Sequence, residues 1–145
     1  MTEIKIGGRV IPLLYTTCEM IAIQEELGCT AFELKEQVFG IKQTDEDDPQ
    51  SVVVTAATDG AKTKKMCKLM RILGNAGLEE QGKEPDLTDK WIMRNMKPAM
   101  IVIYAVTLMA EIMEGNKMET PAKEAQKGPV DEGLEEEMAK KQPGN

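Results

Sequence analysis

The chain contains no histidine, and its aromatic residues amount to two Phe, two Tyr and one Trp among 145 residues. The absence of histidine excludes Ser-His-Asp triads, Cys-His nucleophile pairs, His-ligated zinc and an imidazole general base. Because aromatic residues are scarce, aliphatic side chains and the 11 methionines must fill the core. Methionine fills space loosely, since it has three rotatable bonds.

Cysteine is also sparse: Cys18, Cys29 and Cys67 form no CxxC pair. A disulfide framework or a four-ligand metal site needs more cysteines or histidine partners, so we predict no metal, no cofactor and small buried thiols in a reducing compartment. The N-terminus lacks an apolar signal core, and no run reaches about 18 apolar residues. We therefore expect a soluble, cytoplasmic protein with no membrane partner.

Acidic residues outnumber basic ones by 25 to 18, which gives a net charge of −7. This balance lacks the electrostatic footprint of a protein that binds nucleic-acid phosphates. The length fits one ordinary domain. We predict a globular domain over residues 1–115 and a flexible charged tail over 116–145, because the tail has too few apolar residues to offset its ordering entropy.

The N-terminal residues predict a β-hairpin. Two extended runs flank Gly7 and Gly8, which suit a two-residue turn. In that register Ile4 faces Ile11, and one side of the ribbon carries four apolar residues: Ile4, Ile6, Ile11 and Leu13. Such a ribbon is marginal alone and must pack on helices.

Two capping boxes predict two short helices. Thr16 with Glu19 begins the first, which ends at Gly28, and Thr30 with Glu33 begins the second, which ends at Gly40. The acidic stretch 43–49 is interpreted as a loop, since positions 6 and 12 of an EF-hand counted from Asp45 are not Gly and Glu. Residues 51–58 fit either a strand or the start of the next helix, because periodicity does not separate the two.

A longer helix is predicted over residues 60–81. Its apolar stripe comprises Met66, Leu69, Met70 and Leu73. Its basic residues lie largely off that stripe: Lys64, Lys65, Lys68 and Arg71. Residues 62–71 therefore carry the alternative hypothesis of a small helical regulator that binds nucleic acid, which a steep salt dependence of DNA affinity would favour.

The last predicted helices are the most apolar part of the chain. Thr88 or Asp86 begins a short helix that carries Trp91, and Pro98 suits the first turn of the next one. Residues 99–110 are apolar at every position except Thr107. A helix that is apolar on all sides is either central in the core or shared with another chain, so self-association stays open.

No catalytic constellation is visible, and we predict that the chain is not an enzyme. Glu111 and Glu114, at the end of the apolar helix, are expected to face water, and the less favoured alternative is that one of them is buried. Methionines crowd this region instead, and flexible methionine surfaces re-pack around apolar helices, although the same residues would also simply fill an aromatic-poor core. We predict that five residues line or support a partner surface: Trp91, Met93, Met96, Met100 and Tyr104.

Three segments carry a resemblance to a known family. They are IKIGGRVIPLLYT at 4–16, KLMRILGNAGL at 68–78 and PDLTDKW at 85–91, followed by an apolar helix and a charged tail. In their order and spacing they resemble the tail assembly chaperones of siphovirus-type phages and prophages of Clostridium-like Gram-positive bacteria. The resemblance covers residues 3–141, and residues 50–65 depart from it.

The residues predict a mainly α fold with an N-terminal β-hairpin and about five helices, and the resemblance likewise implies a small, mostly helical protein. It also implies a non-catalytic chaperone that binds the tape-measure protein in the bacterial cytoplasm and is absent from the mature virion. A frameshift-extended form would recruit tail-tube protein during tail morphogenesis. The acidic net charge would help to keep such a chaperone soluble.

Overall fold

The computed structural model describes residues 1–43, 47–48 and 52–118. Within them the chain is mainly α with an N-terminal β-hairpin, as the sequence predicts. Most of the predicted tail, from residue 119 onward, lies outside the described residues, as do 44–46 and 49–51 of the acidic loop region. The elements in chain order are β1 (Thr2–Ile6), β2 (Arg9–Leu13), α1 (Thr17–Leu27), a π-helical segment (Lys35–Phe39), β3 (Ile41–Gln43), β4 (Val52–Val54), a 3-10 turn (Thr55–Ala57), α2 (Gly60–Glu80), α3 (Asp89–Asn95), a second 3-10 turn (Pro98–Met100) and α4 (Ile101–Gly115).

The hairpin forms in the predicted register. Ile4 pairs with Ile11, and Glu3 with Pro12, in an antiparallel ribbon. Gly7 and Gly8 both adopt positive φ, as a tight two-residue turn requires. All four apolar residues of the predicted inner side are buried: Ile4, Ile6, Ile11 and Leu13.

The first capping box is confirmed, and the second begins a different element. The Thr16 N–H donates to Glu19 Oε1 at 2.9 Å, and α1 ends at Gly28 with φ of 69°. The Thr30 N–H donates to Glu33 Oε1 at 2.8 Å. The predicted second helix ends at Gly40 as expected, but it consists of a turn followed by the π-helical segment Lys35–Phe39 rather than regular α-helix.

A packing requirement accounts for this difference. Leu34, Val38 and Phe39 are all fully buried, and the segment then ends at Gly40 with φ of 61°. Spacing of i to i+5 along a π-turn brings Leu34 and Phe39 to the same side. An α-helical turn would rotate Phe39 away from Leu34 by more than a quarter of a turn.

The undecided region 51–58 contains a strand. Val52–Val54 pairs antiparallel with Ile41–Gln43, with Ile41 opposite Val54, and a 3-10 turn follows. Three consecutive β-branched residues suit this extended conformation. Asp47 and Asp48, from the predicted acidic loop, are exposed.

Helix α2 packs closely against the hairpin. Its predicted stripe is fully buried: Met66, Leu69, Met70 and Leu73. Gly77 lies directly against the backbone of Pro12, and the Leu14 N–H donates to the Leu73 carbonyl at 3.1 Å. Glycine at this position lets strand and helix backbones approach more closely than any side chain would allow.

Polar contacts join α2 to α3. The Asn75 side chain donates to the Leu87 carbonyl at 3.2 Å and accepts from the Leu87 N–H at 2.9 Å. Thr88 caps α3 by accepting from the Trp91 N–H at 3.1 Å. Asp89 accepts from Lys68 Nζ at 3.0 Å and from Arg71 Nε at 2.6 Å.

The Asp89 contacts predict a pH-dependent contribution to stability. Burial is the largest single influence and would raise the pKa of the Asp89 carboxyl, but the hydrogen bonds and positive charges of Arg71 and Lys68 together hold the pKa below its ordinary value. This contribution is therefore present above the ordinary pKa and is lost as the pH falls through the lowered one. We expect Asp89→Asn to lower the free energy of unfolding by about 0.5 kcal/mol at pH 7, because partly exposed ion pairs are screened.

Denaturant unfolding of both proteins between pH 2 and pH 7 measures this effect. The difference between wild type and Asp89→Asn should shrink toward acid pH. Replacing the exposed Glu79 with glutamine is the control and should leave the profile unchanged. A difference that stays constant with pH would show that Asp89 acts through packing instead.

Candidate functional site

Helix α4 is apolar on both of its sides, and the described residues cover only one of them. Its inner side packs against the hairpin and the 3-10 turn at Thr55–Ala57. The buried residues of this side are Ile101, Tyr104, Ala105, Leu108, Glu111 and Ile112. The Tyr104 hydroxyl also donates to the Lys5 carbonyl of β1 at 3.4 Å.

The opposite side forms an exposed apolar stripe, which we call the α4 outer face. It comprises Val102, Ile103, Val106, Met109, Ala110 and Met113. Val102 is 45%, Val106 59% and Met113 64% exposed, whereas Met109 is half-buried. Four of these residues, at 102, 106, 109 and 113, follow the 4-3-4 spacing of one helix face over about 17 Å. Contiguous apolar surface of this kind marks an interaction site more often than scattered apolar residues do.

Glu111 anchors this helix to the N-terminal hairpin. It is 4% exposed, so the prediction that it faces water is wrong. Its carboxylate accepts from the Thr2 N–H at 3.1 Å and from the Tyr15 N–H at 3.3 Å. Glu114 is exposed, as predicted, and pairs with Lys117. The anchored inner side fixes the direction in which the α4 outer face points.

The five residues predicted for a partner surface divide between core and surface. Met96 and Tyr104 are buried, so they can support a surface but do not form one. Trp91 and Met100 are partly buried against the core. Met93 is 45% exposed and is the most accessible of the five.

Trp91 lies in a polar setting. The Arg9 guanidinium lies 5.7 Å from the centroid of the Trp91 ring and also pairs with Asp86 at 2.7 Å. Trp91 lines an open cleft of about 470 Å³ together with Thr88, Lys90, Arg94 and Asn95. Its surroundings are therefore more polar than the α4 outer face.

Sequence reasoning selected methionines and missed most of the α4 outer face. The missed residues with the greatest exposure are Val102, Ile103, Val106 and Met113. The sequence did contain a signal for this face. A helix that is apolar at almost every position exposes apolar side chains on one side unless other elements surround the helix. Which side of α4 stays exposed depends on how the hairpin packs against it, and the hydrophobic pattern of the sequence does not specify that packing.

A second exposed apolar feature lies at the far end of α4. Phe32 is 98% exposed and lines a cleft of about 490 Å³ with Met20, Ala31 and Asn116. Gln24 and Thr30 complete this lining. None of the described residues that line this cleft is charged.

The basic residues of α2 are partly engaged within the fold. Lys68 pairs with Asp89, while Arg71 pairs with both Asp89 and Glu26. The hydrogen bond that Arg71 donates to Glu26 raises the pKa of its guanidinium, burial opposes this, and the contact with Asp89 raises the pKa further. Two of the four cations proposed for nucleic-acid binding thus have acidic partners in the folded chain.

The thiols differ in their accessibility. Cys29 and Cys67 are buried, as predicted, whereas Cys18 is exposed and the prediction for it is wrong. Burial raises the pKa of the Cys29 thiol, and burial together with the Asp89 charge raises the pKa of Cys67 to about 11. Among the described residues, no three Cys, Asp or Glu side chains are grouped so as to hold a metal ion.

These environments predict selective thiol chemistry. At pH 8 a disulfide reagent should modify one of the three thiols of the native protein rapidly, because Cys29 and Cys67 are buried and largely protonated. All three should react after unfolding in denaturant. Cys18→Ser should remove the rapid phase, and rapid modification of a second thiol in the native protein would contradict the structure.

The stretch Pro98–Gly115 has the length and composition of a membrane-spanning helix, with a mean hydropathy of 1.4. Core helices of water-soluble proteins meet the same criterion, and a third of this stretch is buried. The hydrogen bonds from Thr2 and Tyr15 to Glu111 join it to the rest of the domain.

Comparison with known proteins gives no relative: no protein-family model, curated protein or solved structure matches this chain.

Proposed function

We propose that this chain is a non-catalytic chaperone that holds an apolar helix of a partner protein against the α4 outer face. The observation that carries the proposal is the exposure of Val102, Val106 and Met113 on a helix whose other side is anchored in the core. A stripe with coiled-coil spacing suits a helical partner, since helices dock through residues three and four positions apart. Methionines within the stripe tolerate partners of different shape.

The resemblance of segments 4–16, 68–78 and 85–91 to siphovirus tail assembly chaperones narrows the partner. We propose the tape-measure protein as the client, because a long tape-measure helix presents repeated apolar faces that need cover before the tail tube polymerises. The chaperone must bind the tape-measure protein reversibly. A single helix face of about 17 Å gives a modest contact area, which suits reversible binding. The protein would act in the host cytoplasm and be absent from the mature virion.

Recruitment of the tail-tube protein belongs to a frameshift-extended form in this proposal. The extension would follow the C-terminal segment, which begins after α4 and lies largely outside the described residues. The 145-residue form would bind the tape-measure protein, and the extended form would add contacts to tail-tube subunits. The acidic balance of the chain, with a net charge of −7, supports the solubility of such complexes.

Co-expression tests the proposal. The full chain is produced with the long, helix-rich protein encoded downstream in the same genome, and the complex is purified and sized. We expect the partner to be insoluble alone and to co-purify in soluble form with this chain. A partner that stays insoluble with both the 145-residue form and the extended form would contradict the proposal.

A further inference from the structure

We infer that, in the free protein, the α4 outer face is covered by α4 of a second copy of this chain, in an antiparallel pairing with two-fold symmetry. The first observation is the spacing of its residues. Val102, Val106, Met109 and Met113 follow one another at intervals of four, three and four, which is the a/d spacing of a coiled-coil seam. A seam of this kind packs against another helix.

The second observation is the order of side-chain sizes along the seam. The two valines occupy the N-terminal half and the two methionines the C-terminal half. An antiparallel pairing places Val102 opposite Met113 of the other copy, and Val106 opposite its Met109. Small residues then face large ones at every layer, which fills a helix interface evenly. A parallel pairing would place Met113 against Met113 and Val102 against Val102.

Charge at the helix ends favours the same orientation. Glu114 is exposed at the C-terminal end of α4, where it pairs with the exposed Lys117 of its own chain, and Lys97 is exposed just before the N-terminal end. Antiparallel pairing brings Glu114 of one copy toward the positive N-terminal end of the other, where Lys97 lies. It also makes the interface isologous, so that each residue contact occurs twice.

The size of the face limits the strength of this dimer. A stable interface buries about 800 Å² on each partner. One exposed helix side about 17 Å long offers less than this area, so we expect a dimer that dissociates in the micromolar range. The dimer can form whether or not the proposed function holds. The proposed function is needed only for the further step in which a client helix replaces the second copy on the α4 outer face.

Sedimentation equilibrium of the full chain without a client tests the dimer. We expect a concentration-dependent shift from monomer to dimer between about 1 and 500 μM, in keeping with a small transient interface. Val106→Glu and Met113→Glu should each raise the dissociation constant roughly tenfold or more, because each buries a charge in the seam. Ile21→Glu is the matched control, since Ile21 is 48% exposed on α1 and should leave the dimer unchanged.

Disulfide trapping tests the orientation in a Cys18→Ser background. Val102→Cys mixed with Met113→Cys should form an intermolecular disulfide, and each variant alone should form little. Efficient cross-linking of Val102→Cys to itself would overturn the antiparallel arrangement. A chain that stays monomeric over the whole range, or a dimer that persists in both Glu variants with unchanged circular dichroism, would overturn the inference. Neither result would bear on whether a client co-purifies.

Discussion

Replacing Gly77 with alanine is expected to lower the free energy of unfolding by about 2 kcal/mol. A Cβ at this position would lie 2.1 Å from the Pro12 carbonyl oxygen and 2.5 Å from the Pro12 carbonyl carbon. Both atoms belong to the backbone of β2, so the strand must move away from α2. Overpacking of this kind costs about 3 kcal/mol, and the higher helix propensity of alanine offsets about 1 kcal/mol.

Thermal unfolding measures the Gly77 effect, which corresponds to a fall in melting temperature of about 10 °C. Gly60→Ala is the matched control, because Gly60 also lies in α2 and its Cβ would meet no atom within 4 Å. We expect that variant to match the wild type or exceed it slightly. A Gly77→Ala protein as stable as Gly60→Ala would show that α2 and the hairpin are not packed as closely as described.

Replacing Glu111 with alanine is expected to cost about 2 kcal/mol of stability and to loosen α4 from the hairpin. The carboxylate is buried and accepts from the backbone N–H groups of Thr2 and Tyr15. Removing it leaves two backbone donors without their acceptor, and an unsatisfied buried donor costs about 1–3 kcal/mol. Water can reach Thr2 more easily than Tyr15, since only the Tyr15 contact is fully buried.

Denaturant unfolding and amide hydrogen exchange at Tyr15 measure the Glu111 effect. Glu114→Ala is the control, because Glu114 is exposed and its carboxylate pairs with the exposed Lys117. That variant should change stability by less than about 0.5 kcal/mol. Equal effects of the two substitutions, or unchanged exchange at Tyr15, would mean that Glu111 does not anchor the helix.

Local signals predicted much of the fold. The Gly7–Gly8 turn and the alternation around it were sufficient for the hairpin register, and the Thr16–Glu19 box marked the start of α1. The box at Thr30 predicted a helix ending at Gly40 but not its π-helical form, since the burial of both Leu34 and Phe39 depends on packing against other elements. Residues 52–54 were ambiguous for a similar reason: a strand forms there because Ile41–Gln43 lies beside it.

The candidate surface was less predictable than the fold. From the sequence, the methionines could either fill the core or form a partner surface. Met66 and Met70 fill the core, whereas Met93 and Met113 are exposed. Composition does not separate these roles, because they depend on which side of a helix meets the hairpin. Glu111 was misjudged for the same reason, as its partners Thr2 and Tyr15 are about a hundred residues away in sequence.

Co-purification of matched variants tests whether the α4 outer face binds the client helix. Val106→Glu, Met93→Glu and Ile21→Glu are each co-expressed with the tape-measure candidate, and the soluble partner is quantified. All three substitutions replace an exposed apolar residue. We expect Val106→Glu to lose the soluble partner and Ile21→Glu to retain it. Retention by Val106→Glu with loss by Met93→Glu would place the binding surface on α3 and contradict binding at the α4 outer face.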